Sequence, residues 1–116
     1  MKLLEQEKAI QHPKLPDILQ ELRSYLQNIY GDHLNDLILF GSQARGEAEP
    51  DSDIDLLIIL KGEVDPWTEN QRTSQRISQI CLDYSVVICN IFVSVEQFTA
   101  KSSALLRNIA NEGVYV

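Results

Sequence analysis

The chain is poor in cysteine, short of positive charge and without any long apolar run. Cys81 and Cys89 are its two cysteines in 116 residues. That is too few for a disulfide framework, and they lack a zinc-ligand spacing, so reduced thiols in a cytoplasmic protein are expected. No apolar stretch approaches the roughly 20 residues that a membrane-spanning helix needs. The opening MKLLEQEKAIQ places a charge every few residues and has no apolar signal core, which argues against export. Lys and Arg number 10 against 17 Asp and Glu, for a formal net charge of −7. A chain this acidic is a poor binder of nucleic-acid phosphates through bulk electrostatics. Five Gly and four Pro exclude a collagen-like or low-complexity chain. What is present, 44% hydrophobic and 23% charged residues, fits one small globular domain over residues 1–116.

Periodicity orders the chain. Leu3 to Gln11 reads as a short helix ended by His12 and Pro13. A better-signalled helix follows, with Pro16 and Asp17 in its first turn and Gly31 as its stop. Its apolar face is formed by Ile18, Leu22, Tyr25, Leu26 and Ile29. Leu34 to Phe40 reads as a strand breaking at Gly41, and residues 42–52 as a loop with room for one helical turn. Asp53 to Leu60 is a second strand. Asp65-Pro66 opens a helix running to about Leu82, expected to bury Trp67, Ile77, Ile80 and Cys81. Val86 to Val93 is an almost continuous apolar run, expected to be a strand buried on both faces. Ser94 and Gln97 form a capping box for a C-terminal helix over about 94–112, which Gly113 ends before a short tail. The fold class is α/β or α+β, with a small mixed sheet flanked by helices.

The acids are unevenly placed, and Glu47, Glu49, Asp51, Asp53 and Asp55 crowd together. Strand alternation puts Asp53 and Asp55 on one face, roughly 6.5–7 Å apart along the strand. Leu57 and Ile59 continue that face, so two acids stand at the mouth of a strand that is otherwise buried. Close like charges at a partly dry site need a cation, or one of them must protonate. Two carboxylates suit Mg²⁺, which usually takes one or two carboxylates plus substrate phosphates. Asp-x-Asp equally describes a solvated acidic loop entering a strand. Upstream, Gly41-Ser42 equally describes a plain turn. A glycine there also lets a phosphate approach backbone N–H groups, and Ser42 adds a hydroxyl donor. The two features together are the two halves of a metal–nucleotide site.

The run GSQARGEAEPDSDIDL, Gly41 to Leu56, resembles the signature of the minimal nucleotidyltransferases of the polymerase-β superfamily. In that signature a strand ends in Gly-Ser, about ten residues intervene, and Asp-x-Asp lies on the next strand. The resemblance spans roughly residues 17 to 95, with its motif core at 34–60, and implies the polymerase-β-like nucleotidyltransferase fold. It implies transfer of a nucleoside monophosphate from a nucleoside triphosphate to an acceptor, releasing pyrophosphate. Carried onto this chain, Gly41 and Ser42 would hold the triphosphate. Asp53 and Asp55 would be the catalytic, Mg²⁺-binding carboxylates, with ATP the favoured substrate. Arg45 would either neutralise phosphate charge or pair with a loop acid such as Glu47 or Glu49.

One part of the family pattern is missing. Its third carboxylate, the expected base, lies on a later strand, and Val86 to Val93 contains no acid. Asp83 just before that strand is a weak candidate, Asn90 lies within the strand, and Ser85 stands where an acid would have fitted. His12 and His33 have no partner at ligand spacing. The chain is too short for the extra acceptor-binding domain of aminoglycoside-modifying relatives. The resemblance therefore implies an acceptor supplied by a partner protein, such as a HEPN-type toxin to which this chain would act as antitoxin by adding AMP. The alternative is an antitoxin of weak or no activity that neutralises its partner by binding. Small-molecule nucleotidylation is a more distant third. Homo-oligomerisation is left open by the sequence.

Overall fold

The computed structural model of the protein describes residues 2–3, 13–46 and 53–116. Its elements run β1 (Lys2–Leu3), α1 (Leu15–Tyr30), a 3₁₀ turn (Gly31–His33), β2 (Leu34–Phe40), α2 (Gly41–Arg45), β3 (Ile54–Leu60) and α3 (Pro66–Tyr84). Then come β4 (Ile88–Ser94), α4 (Val95–Ala100), α5 (Ala104–Glu112) and β5 (Val114–Tyr115). The strands form one mixed sheet in the order β1-β5-β2-β3-β4. β2 is antiparallel to both β3 and β5, whereas β3 runs parallel to β4 and β1 to β5.

Strand β3 sits at the centre of the molecule because nearly all of it is apolar. Ile54, Leu56, Ile58 and Leu60 face a large core shared with α1 and α3. Leu57 and Ile59 face a smaller core closed by Leu106 and Ile109 of α5. Such burial on both faces is what a strand without alternating polarity requires. The helix α1 presents Leu15, Ile18, Leu19, Leu22, Leu26 and Tyr30 to the core. Ile29, expected on that face, lies to the outside. The following Gly31 closes the helix at φ 54°, a left-handed value that favours glycine.

Other expectations are corrected as well. Leu3 belongs to a strand, and residues 4–12 of the expected first helix lie outside the described residues. Trp67, in the first turn of α3, is 72% exposed, whereas Thr73, Ile77 and Ile80 are the residues that helix buries. The C-terminal helix is two helices: Lys101 takes φ 50° after α4, and Ser103 caps α5 afresh by accepting from the Leu106 N–H. The short tail is a strand, β5, which joins β2 through Ile38 and Leu39. It comes that close because Gly113 lacks a side chain; a Cβ there would lie 2.5 Å from Ile38 Cγ2. The run Val86 to Val93 is a strand from Ile88, but an edge strand, so Cys89 is exposed and Asn90 and Ile91 are half-buried. The Ser94–Gln97 capping box forms as expected.

Candidate active site

The site lies where β2 ends, beside the start of β3. Antiparallel pairing sets Phe40 opposite Asp55, so the residue after Phe40 meets the Asp55 side chain. That residue is Gly41, at φ 75°, the first residue of the single-turn α2. A Cβ on Gly41 would lie 2.4 Å from Asp55 Oδ2. Real Cβ atoms do not approach a carboxylate oxygen so closely, so this juncture needs glycine both for its backbone angle and for its space. Ser42 follows, half-buried, while Gln43 and Ala44 anchor the turn in the interior. The expected helical turn is therefore real, and it starts at the glycine itself.

Asp53 is exposed and Asp55 half-buried. Burial pushes the Asp55 carboxyl above its ordinary value. The Asp53 charge pushes it the same way, and Arg45 pulls against both. The two acids thus share one face of the strand with too little positive charge around them. Arg45 pairs with Glu112 of α5 at 3.7 Å. Both partners are largely exposed, which keeps the pair to about 1 kcal/mol or less. Its expected loop partners Glu47 and Glu49 fall in residues 47–52, which with Asp51 lie outside the described residues.

The strand next to Asp55 supplies a residue that reading by periodicity missed. In the parallel β3–β4 ladder, Asp55 is in register with Cys89, and residues in register point to the same face. Cys89 Sγ lies 3.7 Å from Asp53 Oδ2. Burial, then the Asp53 and Asp55 charges, raise the thiol above its ordinary value, so it remains an S–H donor. Cys89, not Ser85 or Asn90, occupies the place beside the two carboxylates. Ser85 is the left-handed cap of α3, and Asn90 points to the opposite face, where it donates to Asn70 of α3. Asp83 is exposed on the last turn of α3 and accepts a hydrogen bond from Gln79. The signal that would have located Cys89 is strand register, which a periodicity scan of one strand does not contain. His33 is exposed in the 3₁₀ turn, and His12 lies outside the described residues.

The donor set can be tested against Mg²⁺ on its chemistry. Two carboxylates on one face, incompletely neutralised, are hard oxygen ligands of the right kind for a single ion that also binds phosphate oxygens. The thiol is a soft ligand and adds nothing for Mg²⁺. Among the described residues no group of three His, Cys, Asp or Glu is placed to hold a metal unaided. A groove of about 670 Å³ runs between α1 and α3 beside Glu21, Arg76 and Tyr84, on the opposite face of the sheet from these carboxylates. No helix among the described residues is long and apolar enough to cross a membrane.

A mixed sheet that sets a Gly-Ser turn against paired carboxylates on the next strand defines the polymerase-β-like nucleotidyltransferase class. The family model described as the nucleotidyltransferase domain matches residues 18–116, and the chain belongs to that family as a minimal nucleotidyltransferase. It is 34% identical over 100 residues to MJ0141 of Methanocaldococcus jannaschii, assigned as a protein adenylyltransferase, across 86% of this chain and 96% of that one. MJ0604 of the same organism, assigned likewise, is 35% identical over 96 residues, across 82% and 90% of the two chains. A toxin–antitoxin crystal structure with AMP-PNP aligns with 83% of this chain and 70% of its own at a TM-score of 0.58 and 17% identity, a likeness of fold.

Proposed function

We propose that this nucleotidyltransferase moves adenylate from ATP to a hydroxyl on a partner protein, a HEPN-type toxin being the favoured acceptor, and so acts as an antitoxin. The observation that carries the site is the packing of Asp55 against Gly41. It puts a carboxylate within reach of whatever the Gly41–Ser42 turn binds. The assignment of MJ0141 and MJ0604 as protein adenylyltransferases supports both the nucleotide and the acceptor class. The fold shared with a toxin–antitoxin structure holding AMP-PNP supports the kind of partner.

In this reading Gly41 and Ser42 hold the triphosphate through backbone N–H groups and the Ser42 hydroxyl. Asp53 and Asp55 are the residues that would hold Mg²⁺, which when bound supplies charge neutralisation for the phosphates. Arg45 stays close enough to act on the Asp55 charge and, on release from Glu112, to meet a phosphate oxygen. The acceptor oxygen bonds to the α-phosphorus as the bond to the pyrophosphate oxygen breaks, and the hydroxyl proton passes to solvent. The half-buried setting of Asp55 keeps that charge in a low-dielectric environment, where it acts strongly on a polyphosphate–cation pair.

The test is incubation with α-labelled ATP, Mg²⁺ and the candidate partner. Transfer of label to the partner, abolished by Asp53→Asn or Asp55→Asn in a folded chain, is the expected result. A second reading, neutralisation by binding alone, is favoured by one observation: a thiol, Cys89, takes the place beside the two carboxylates. It requires the double Asp variant to neutralise the partner undiminished.

A further inference from the structure

We infer that two copies of this chain pair through the outer edge of β4, antiparallel about a two-fold axis at Asn90. The ladder shows which backbone groups face outward. The Ile54 N–H donates to the Val87 carbonyl, and Ile54 is in register with Ile88. In a parallel pair this phase turns the N–H and C=O of Val87, Cys89, Ile91 and Val93 toward β3. It turns those of Ile88, Asn90 and Phe92 outward, where among the described residues no strand lies beyond them. The open edge has a built end: the Ser94 N–H is taken by the Gln97 side chain at 3.0 Å. The row thus consists of three outward residues with Asn90 at its middle, and reversal about Asn90 maps the row onto itself. Ile88 then faces Phe92 of the second copy, Asn90 faces its equivalent, and each facing pair exchanges both N–H···O bonds.

Among the described residues nothing covers this edge, and the strand itself carries none of the usual protections against pairing. Val86 to Val95 contains no charge, no proline and no glycine, and no bulge interrupts its register. The other sheet edge, β1, is two residues long and includes Lys2. Charge selects a second copy of this chain as the occupant. In a chain of net charge −7, the α3 side of the β4 edge is neutral among the described residues, while the Asp53 carboxylate stands against Cys89 on the other side. Asn90 holds Asn70, which marks the side of α3 next to the edge, and there Trp67, Gln71, Ser74 and Ser78 are exposed and uncharged. Glu69, Arg72 and Arg76 of α3 are turned the other way, toward Tyr30 and Glu21 on α1. On its α3 side the edge therefore meets its own copy without repulsion and offers nothing to draw a charged partner. Trp67 and Ser74 lie one turn to either side of Asn70, so the same axis brings the exposed indole of each copy toward the small Ser74 of the other.

The experiment is sedimentation equilibrium of the full chain, with hydrogen exchange read residue by residue on dilute and concentrated samples. A dimer is expected. The amides of Ile88, Asn90 and Phe92 gain protection with concentration, while those of Cys89, Ile91 and Val93 are protected throughout by β3. Trp67→Lys and Ser74→Lys alter exposed side chains, and each is expected to weaken the dimer about tenfold or more with an unchanged circular dichroism spectrum. A monomer at millimolar concentration overturns the inference. So does a dimer in which the amides of Ile88, Asn90 and Phe92 exchange equally fast in dilute and concentrated samples.

Discussion

Asp55 and Gly41 occupy one space: the carboxylate Oδ2 sits 2.4 Å from where any side chain at position 41 would begin. The antiparallel register of β2 and β3 causes this, since it faces Phe40 with Asp55 and leaves the next residue to turn across the carboxylate. Sheet pairing, glycine conformation and site chemistry therefore depend on each other at a single point.

Gly41→Ala is the sharpest test of that dependence. The left-handed backbone alone costs an L-residue about 1–2 kcal/mol, and the methyl group must also displace Asp55. The expected outcome is a lower melting temperature together with loss of nucleotide transfer. Ala at Gly62, also left-handed but with open space around it, should cost stability without touching transfer.

Cys89→Asp would complete a carboxylate triad in register with Asp55. Without divalent metal the added charge beside Asp53 and Asp55 should lower the melting temperature. With Mg²⁺ the variant should gain more stability than the parent, because a third hard ligand tightens the ion. Cys89→Ser should do neither. Melting curves with and without Mg²⁺ check all three.

Tyr84 donates to Glu21, and that hydrogen bond, then burial and the Glu21 charge, push its hydroxyl up to about 12 from an ordinary 10.0. A raised value means that the folded state keeps its proton longer than the unfolded state. The stabilising contribution is complete below about 10 and is lost as pH rises through about 12. Absorbance titration should show Tyr30 and Tyr84 both ionising late, with the Tyr84 step alone moving back toward the ordinary value in Glu21→Gln.

Phe92 is 2% exposed, packed on Tyr30 with ring centroids 6.3 Å apart. Phe92→Ala should cost about 3–5 kcal/mol, read from denaturant unfolding. The loss would come from the core beneath α1 and α3, the opposite face of the sheet from Asp55.

Local signals carried far in this chain. The Asp65 cap, the Ser94–Gln97 box and the Gly31 stop all act within a few residues of themselves, and all three form. The Asp53–Asp55 pair and the Gly41 turn were legible because both are short patterns with fixed geometry. Trp67 was misplaced because an aromatic in a first helical turn carries no sign of whether the sheet extends beneath it. The break at Lys101 was missed because a left-handed lysine has no compositional mark. The tail strand was missed because β5 exists only through its pairing with β2.

By itself the sequence determined the central strand, the two acids at its mouth and the glycine turn before it, since backbone alternation and steric freedom are properties of consecutive residues. Tertiary structure decided what those residues meet. Register set Cys89 beside the acids, chain reversal brought Glu112 to Arg45, and strand order left β4 at the edge. Each is a contact between distant parts of the chain. Such contacts follow from which faces are buried together, and no local pattern records them.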